Sequence, residues 1–436
     1  MKDNNPVWNF FASVKLALFT LSAISITAII GTVIPQNQKF GFYAHQYGDT
    51  AAQLIRVLDL HDMYGSWWFL GLLGLLSANI IICSIDRFPI AWKQMNADQS
   101  ALAIGKIEKM SLSQRFTPGR KTAAEDVEAF LKEDGWKVSS KTSGDGTVIS
   151  GQKGAVSRMG VYIVHTSILV IFLGSMIGHF FGFKASVFLP ETRVTDKVYA
   201  AGHRSAIDLG FELRCDFFTI DFYDNGMAKK YVSGLTVLEN GQEKFTTEIA
   251  VNTPLKYKGM TFYQASYEGY KDFVFKLTDT ADGTVQTFIA PFQQQVEWKE
   301  KDIVFGVVNA EAFRDHVTRI KVWFKEGEAK PVEFWLDDNG IQEIASTDGQ
   351  PYTLQAKQMY ATGLQVAKDP GVWVVYLGFF MMMAGLYFSF FMSHKRVWVV
   401  TGHGAEVLVA GSANKNKVGF EKIFGTLTDK LKNKLA

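Results

Sequence analysis

The chain has 436 residues, enough for two or three units, with a net charge of +2 and a mean hydropathy near zero. No basic patch with interleaved aromatics occurs, so nucleic acid is not an expected partner. Two cysteines exclude a disulfide framework. Cys83 falls in an apolar segment and Cys215 in a polar region, and both read as buried, unbridged thiols.

The near-zero hydropathy averages four strongly apolar segments with ordinary polar sequence. Residues 1–86 hold the first two spans. The first runs from Val14 to Ile34 and is stopped by Pro35. It is longer than a signal-peptide core and no small-x-small cleavage site follows, so it reads as a retained anchor. A short loop, 35–65, carries His45 and His61, and Gln53–Leu60 suits a short amphipathic helix. Paired Trp67 and Trp68 open the second span as an interfacial belt, and it reaches about Ile85.

Residues 87–158 are polar and rich in Lys and Arg. Thr122-Ala123-Ala124-Glu125 reads as a capping box ahead of a stripe of Val127, Phe130 and Leu131. Ser143-Gly144-Asp145-Gly146 between two apolar runs reads as a hairpin. The unit is a small α+β insert.

The third span, 159–183, is about 25 residues without an acidic or basic side chain after Arg158, long enough to cross a bilayer. It nevertheless carries His165 and His179, and an ionisable group in such a helix is a functional-site hypothesis by default. Fourteen residues apart, the two lie about 40° apart around the helix and roughly 21 Å along it. The alternative for His165 is a polar helix–helix hydrogen bond to an Asn or Ser; for His179 it is a place at the interface.

Residues 184–370 change to period two, as in Phe211–Phe217, Lys244–Val251, Met260–Tyr267 and Phe273–Leu277. Between such runs lie the turn signals Asp224-Asn225-Gly226, Glu239-Asn240-Gly241, Lys258-Gly259 and Asp282-Gly283. Many short strands at this spacing predict an antiparallel sandwich or barrel. No nucleophile elbow, zinc-protease helix or phosphate loop is present, and His203 and His316 read as surface or core histidines. The fourth span, 371–392, contains Met381-Met382-Met383, which point in different directions on a helix and read as packing. The tail, 393–436, is basic and reads as ending in a surface-lying helix.

Short loops rich in Lys and Arg stay cytoplasmic. The 87–158 segment and the tail carry that excess. Both termini and the insert are therefore expected inside, and the β domain outside. Together these readings predict a polytopic α-helical membrane protein with four transmembrane helices, a large extracytoplasmic all-β, sandwich-like domain and a small cytoplasmic α+β insert.

Ser13-Val14-Lys15-Leu16-Ala17 leading to Gly31-Thr32-Val33-Ile34-Pro35-Gln36, then Ser66-Trp67-Trp68-Phe69 running to Asn79 and Cys83-Ser84-Ile85-Asp86-Arg87, then Gly160-Val161-Tyr162-Ile163-Val164-His165-Thr166-Ser167, form an ordered set. In that order, with a large outer domain before the last span, the chain resembles the ResB/CcsB family of system II cytochrome c biogenesis. The resemblance implies a protein of the bacterial plasma (inner) membrane, not catalytic alone but a subunit of a holocytochrome c synthase (haem lyase) complex. It implies a polytopic CcsA/ResC-like haem-handling partner and apocytochrome c, whose Cys-x-x-Cys-His motif receives haem. The cofactor implied is haem b, held transiently and shared with the partner. By position, the family's haem-iron axial ligand falls on His165. No family role falls on His179, whose place on the same helix face makes it a second candidate for haem contact. Two competing readings are a membrane-anchored scaffold or chaperone without haem ligation, and thiol transfer through Cys215, which lacks a second cysteine to resolve a mixed disulfide.

Overall fold

A computed structural model describes residues 5–119, 123–143, 146–200, 205–223, 225, 227–313, 316–346, 349, 351–402 and 406–436. Four of the described helices are long and apolar enough to cross a membrane: Val14–Val33, Trp67–Asn96, Gly160–Phe181 and Val372–Phe390. Twenty residues of helix span about 30 Å, and three of the four have close to that length. The second runs on to Asn96, well past Ile85. Asp86 and Arg87 end its apolar run but not its backbone hydrogen bonding, and Pro89 lies inside it.

The third and fourth helices pack through glycine. Gly160, Ser167 and Gly174 repeat every seven residues, as do Gly371, Gly378 and Gly385. A Cβ on Gly378 would lie 3.0 Å from the Ile171 backbone nitrogen, and one on Gly385 would lie 2.9 Å from that of Val164. Only bare backbone allows this approach, the device of close-packed apolar helices.

The 35–65 connection is folded rather than open. Helices Phe40–Tyr47 and Asp49–Val57 bury Tyr43, Ala52 and Ile55. Gln36 ties the connection together: its amide donates to the carbonyls of Gly31, Ile34 and Leu60, and its oxygen accepts from Met63 N.

The insert and the tail, separate in the sequence reading, form one domain. Its five-stranded antiparallel sheet runs Ser113–Phe116, Val407–Ala413, Lys395–Thr401, Gly146–Lys153, Lys137–Ser143. Tail strands thus fill the centre of a sheet edged by insert strands. Helix Lys417–Leu435 is not a free surface-lying helix. It buries Phe420, Phe424, Leu427 and Leu431 with Val127, Phe130, Val397 and Val409, and turns its lysines to solvent. The insert helix starts at Ala124, with Ala123 at its N-cap; Thr122, on which the capping-box expectation falls, lies outside the described residues.

The second compact unit, Gly178–Pro370, carries the β domain. One antiparallel sheet runs Val285–Pro291, Met260–Asp279, Tyr352–Lys368, Phe183–Pro190, Val194–Ala200, Ala206–Phe222, Ala228–Glu239, Gln242–Ala250. The runs at 260–267 and 273–277 are one long strand with a register shift between Gly269 and Phe273. On one side of that shift the sheet curls around a core of Leu213, Leu235, Ile249, Phe262 and Val366. On the other, Phe275 and Leu354 face a four-stranded sheet carrying Phe305, Val322 and Leu336, a sandwich. Asn240 and Gly241, both at positive φ, make the tight turn their sequence announced. Asp224 and Gly226 lie outside the described residues, as does His203.

Candidate functional site

The segment Cys83–Arg87 serves two faces of the second helix. On one face, Asn79 donates to the carbonyls of Phe11 (2.6 Å) and Ser13 (3.0 Å), and the Cys83 thiol to that of Ala12 (3.1 Å). One turn on, the Asp86 carboxylate accepts Trp8 Nε1 at 2.9 and 3.1 Å. Asn79 and Cys83 thereby satisfy carbonyls where the short helix Pro6–Phe11 breaks before Val14.

On the other face, Ser84 Oγ lies 3.3 Å from His165 Nδ1. Below it, Phe88 meets Tyr162 edge-to-face at 5.3 Å and stacks on Trp92 at 5.7 Å. Lower still, Gln94 Oε1 accepts from Arg158 at 2.5 Å. These three pairs set an antiparallel register of the second and third helices. His165 is half-buried, and Phe88 and Trp92, one and two turns beyond Ser84 on the second helix, are exposed. Nδ1 is within reach of Ser84, and Nε2 makes no hydrogen bond among the described residues. That donor set suits a transition-metal centre: a neutral imidazole with one nitrogen for the metal and the other fixed by a hydrogen bond. The same bond is also what a purely structural histidine would make.

His179 stands on the last turn of the same helix, exposed, its ring edge-on to Phe180 at 5.2 Å. No described group is brought to both histidines. His316 stacks on Phe222 with centroids 4.1 Å apart, and its buried Nδ1 has no described hydrogen-bond partner. Among the described residues no three His, Cys, Asp or Glu side chains converge as a metal site. Cys215 is fully buried, and burial, with Glu191 and Asp216 nearby, pushes its thiol up to about 12. It is a core residue, not a nucleophile. Met383 is exposed, and the three neighbouring methionines do not converge.

Sequence reasoning missed His394, which closes the fourth helix. It is fully buried. Its Nδ1 accepts from Arg158 Nε at 2.8 Å, and its Nε2 lies 3.0 Å from Gln152 Oε1. Burial, followed by the charges of Arg158 and Arg396, pushes this imidazole down to about 4, so it is neutral near pH 7. It ties the base of the third helix to the sheet of the small domain. The signal available in the sequence was a histidine immediately after an apolar run.

The fold and site define a class: four apolar helices, an all-β domain between the third and fourth, and a half-buried histidine held by a serine on a neighbouring helix. The chain belongs to the ResB-like family, whose model matches residues 14–338 and 309–425. It is 27% identical to cytochrome c biogenesis protein CcsB of Microcystis aeruginosa, over 100% of this chain and 98% of that protein. It is 30% identical to CcsB of Gloeobacter violaceus, over 95% and 88% respectively. It is 26% identical to cytochrome c biogenesis protein Ccs1 of Rhodomonas salina, over 97% and 96%.

Proposed function

We propose that this chain is the haem-handling subunit of a system II cytochrome c synthase, helping to move haem across a membrane and to present it to apocytochrome c. The observation that carries the proposal is the Ser84–His165 pair on facing apolar helices. The names of the relatives supply the task, cytochrome c biogenesis. In this reading the four apolar helices span the bacterial plasma membrane. The Lys- and Arg-rich small domain lies inside with both termini, and the β domain lies outside.

Haem is cargo here. Its iron needs axial nitrogen ligands and its flat apolar ring needs an apolar wall. His165 Nε2 offers the first, and exposed Phe88 and Trp92 offer the second. Ser84 holds the imidazole's rotation. One helix supplies one axial position, so the opposite one falls to a CcsA/ResC-like partner. His179 is a secondary candidate, for a later contact nearer the outer face. The thioether-forming thiols belong to apocytochrome c, so this chain needs no nucleophile of its own, which agrees with the buried state of Cys215.

The test is holocytochrome c formation in cells carrying His165→Ala. Near-complete loss, restored in part by added imidazole, is expected. Full maturation would favour the second reading, a scaffold or chaperone for the partner or apocytochrome in which Ser84–His165 is only a helix–helix contact.

A further inference from the structure

Resting on the reading that His165 takes haem iron, we propose that Arg87 binds a haem propionate and so fixes which edge of the ring faces the polar end of the helices. The register of the second and third helices carries the argument. Moving from His165 toward that end, the pairs are Ser84–His165, Phe88–Tyr162 and Gln94–Arg158. Three cations lie along this path, of which Lys93, nine residues beyond Ser84, falls on the opposite side of the second helix. Arg158 is committed: its Nε donates to His394 and its NH1 to Gln94. Arg87 is different. It sits three residues beyond Ser84, about 4.5 Å further along the helix and about 60° round it. Its side chain is exposed, and among the described residues its guanidinium has no hydrogen-bond or ion-pair partner. The adjacent carboxylate of Asp86 is turned to Trp8.

A guanidinium at the end of an apolar run is costly to hold near hydrocarbon without an anion or water. It is also the side chain best shaped to take a carboxylate through two parallel hydrogen bonds. Haem carries its two carboxylates on one edge and its vinyl groups on the opposite half of the ring. Iron at His165 with a propionate at Arg87 is therefore a two-point hold. It prevents rotation of the ring and turns the vinyl half away from Arg87, toward the end where thioether bonds are to form. The intervening wall, Phe88 and Tyr162, is aromatic.

The experiment titrates ferric haem b and, separately, its dimethyl ester into the full chain purified with its copurifying partner, following Soret absorbance. Arg87→Ala is expected to weaken haem b about tenfold while leaving the dimethyl ester at wild-type affinity, and Arg87→Lys to recover part of the loss. Equal weakening of both ligands, or of neither, would overturn the proposal and leave Arg87 as an anchor to lipid phosphate or water. The same titration with His165→Ala tests the underlying reading separately. Loss of both ligands there, with no ester discrimination by Arg87, defeats the Arg87 proposal alone. Unchanged binding by His165→Ala, or no binding by the wild type, defeats the haem reading itself.

Discussion

The two histidines of the third apolar helix share a sequence context but not a structural one. His165 is half-buried, faces the second helix, and has one ring nitrogen within reach of Ser84. His179 is exposed, with its ring edge-on to that of the next residue, Phe180. Helical arithmetic puts both on one face, yet what surrounds a face changes along its length. An imidazole becomes a candidate ligand when a second group fixes its rotation and an apolar wall stands beside it. His165 has both. His179 has neither among the described residues.

The largest expected effect breaks the pair apart: His165→Ala abolishes holocytochrome c formation, whereas His179→Ala lowers it only a few-fold. Equal losses, measured by haem staining of cytochrome c at matched expression, would mean that the difference in surroundings carries no weight. Ser84→Ala sharpens the comparison. It keeps the ligand and removes its orienting hydrogen bond, and is expected to weaken haem binding about tenfold. No change would mean that packing alone orients the ring.

His394 supplies a third contrast, a histidine that is buried and purely structural. Its imidazole is held down to about 4 from an ordinary 6.5, so the folded state binds fewer protons than the unfolded one between those values. Stability contributed by the Arg158–His394–Gln152 contact is therefore fully present above about pH 6.5. It falls as pH drops toward 4, by up to about 3 kcal/mol. Amide protection factors in the strand Lys395–Thr401, corrected for the intrinsic pH dependence of exchange, should fall as pH drops through that window, and His394→Leu should flatten the dependence. A pH-independent wild type would contradict the buried, neutral assignment. The smallest effect is expected at Cys215: Cys215→Ala should leave maturation at the wild-type level, and a total loss would restore the thiol-transfer reading.

Much of this was legible in the sequence because it is local. The four helices follow from runs of apolar residues, the hairpins from Asn240-Gly241 and its like, and His165 from an ionisable group where none is cheap. What was not legible depends on residues far apart in the chain. Lys395 pairs with Lys153, and Ser113 with Ala410, so the insert and tail form one sheet that neither segment announces alone. Ser84 reads as an ordinary small polar residue until the third helix lies against it. The spacing of Gly371, Gly378 and Gly385 was readable in principle. Its meaning appears only with Gly160, Ser167 and Gly174 opposite. The helix from Ala124 was legible from its stripe, and it buries Val127 and Leu131 against the sheet.

The most direct measurement is the absorption spectrum of the purified complex of this chain and its partner, reduced with dithionite, for wild type and His165→Ala. A sharp low-spin b-type band in the wild type that weakens or shifts in the variant is the predicted result. An unchanged band, together with full maturation activity, would place the haem site in the partner and contradict the account.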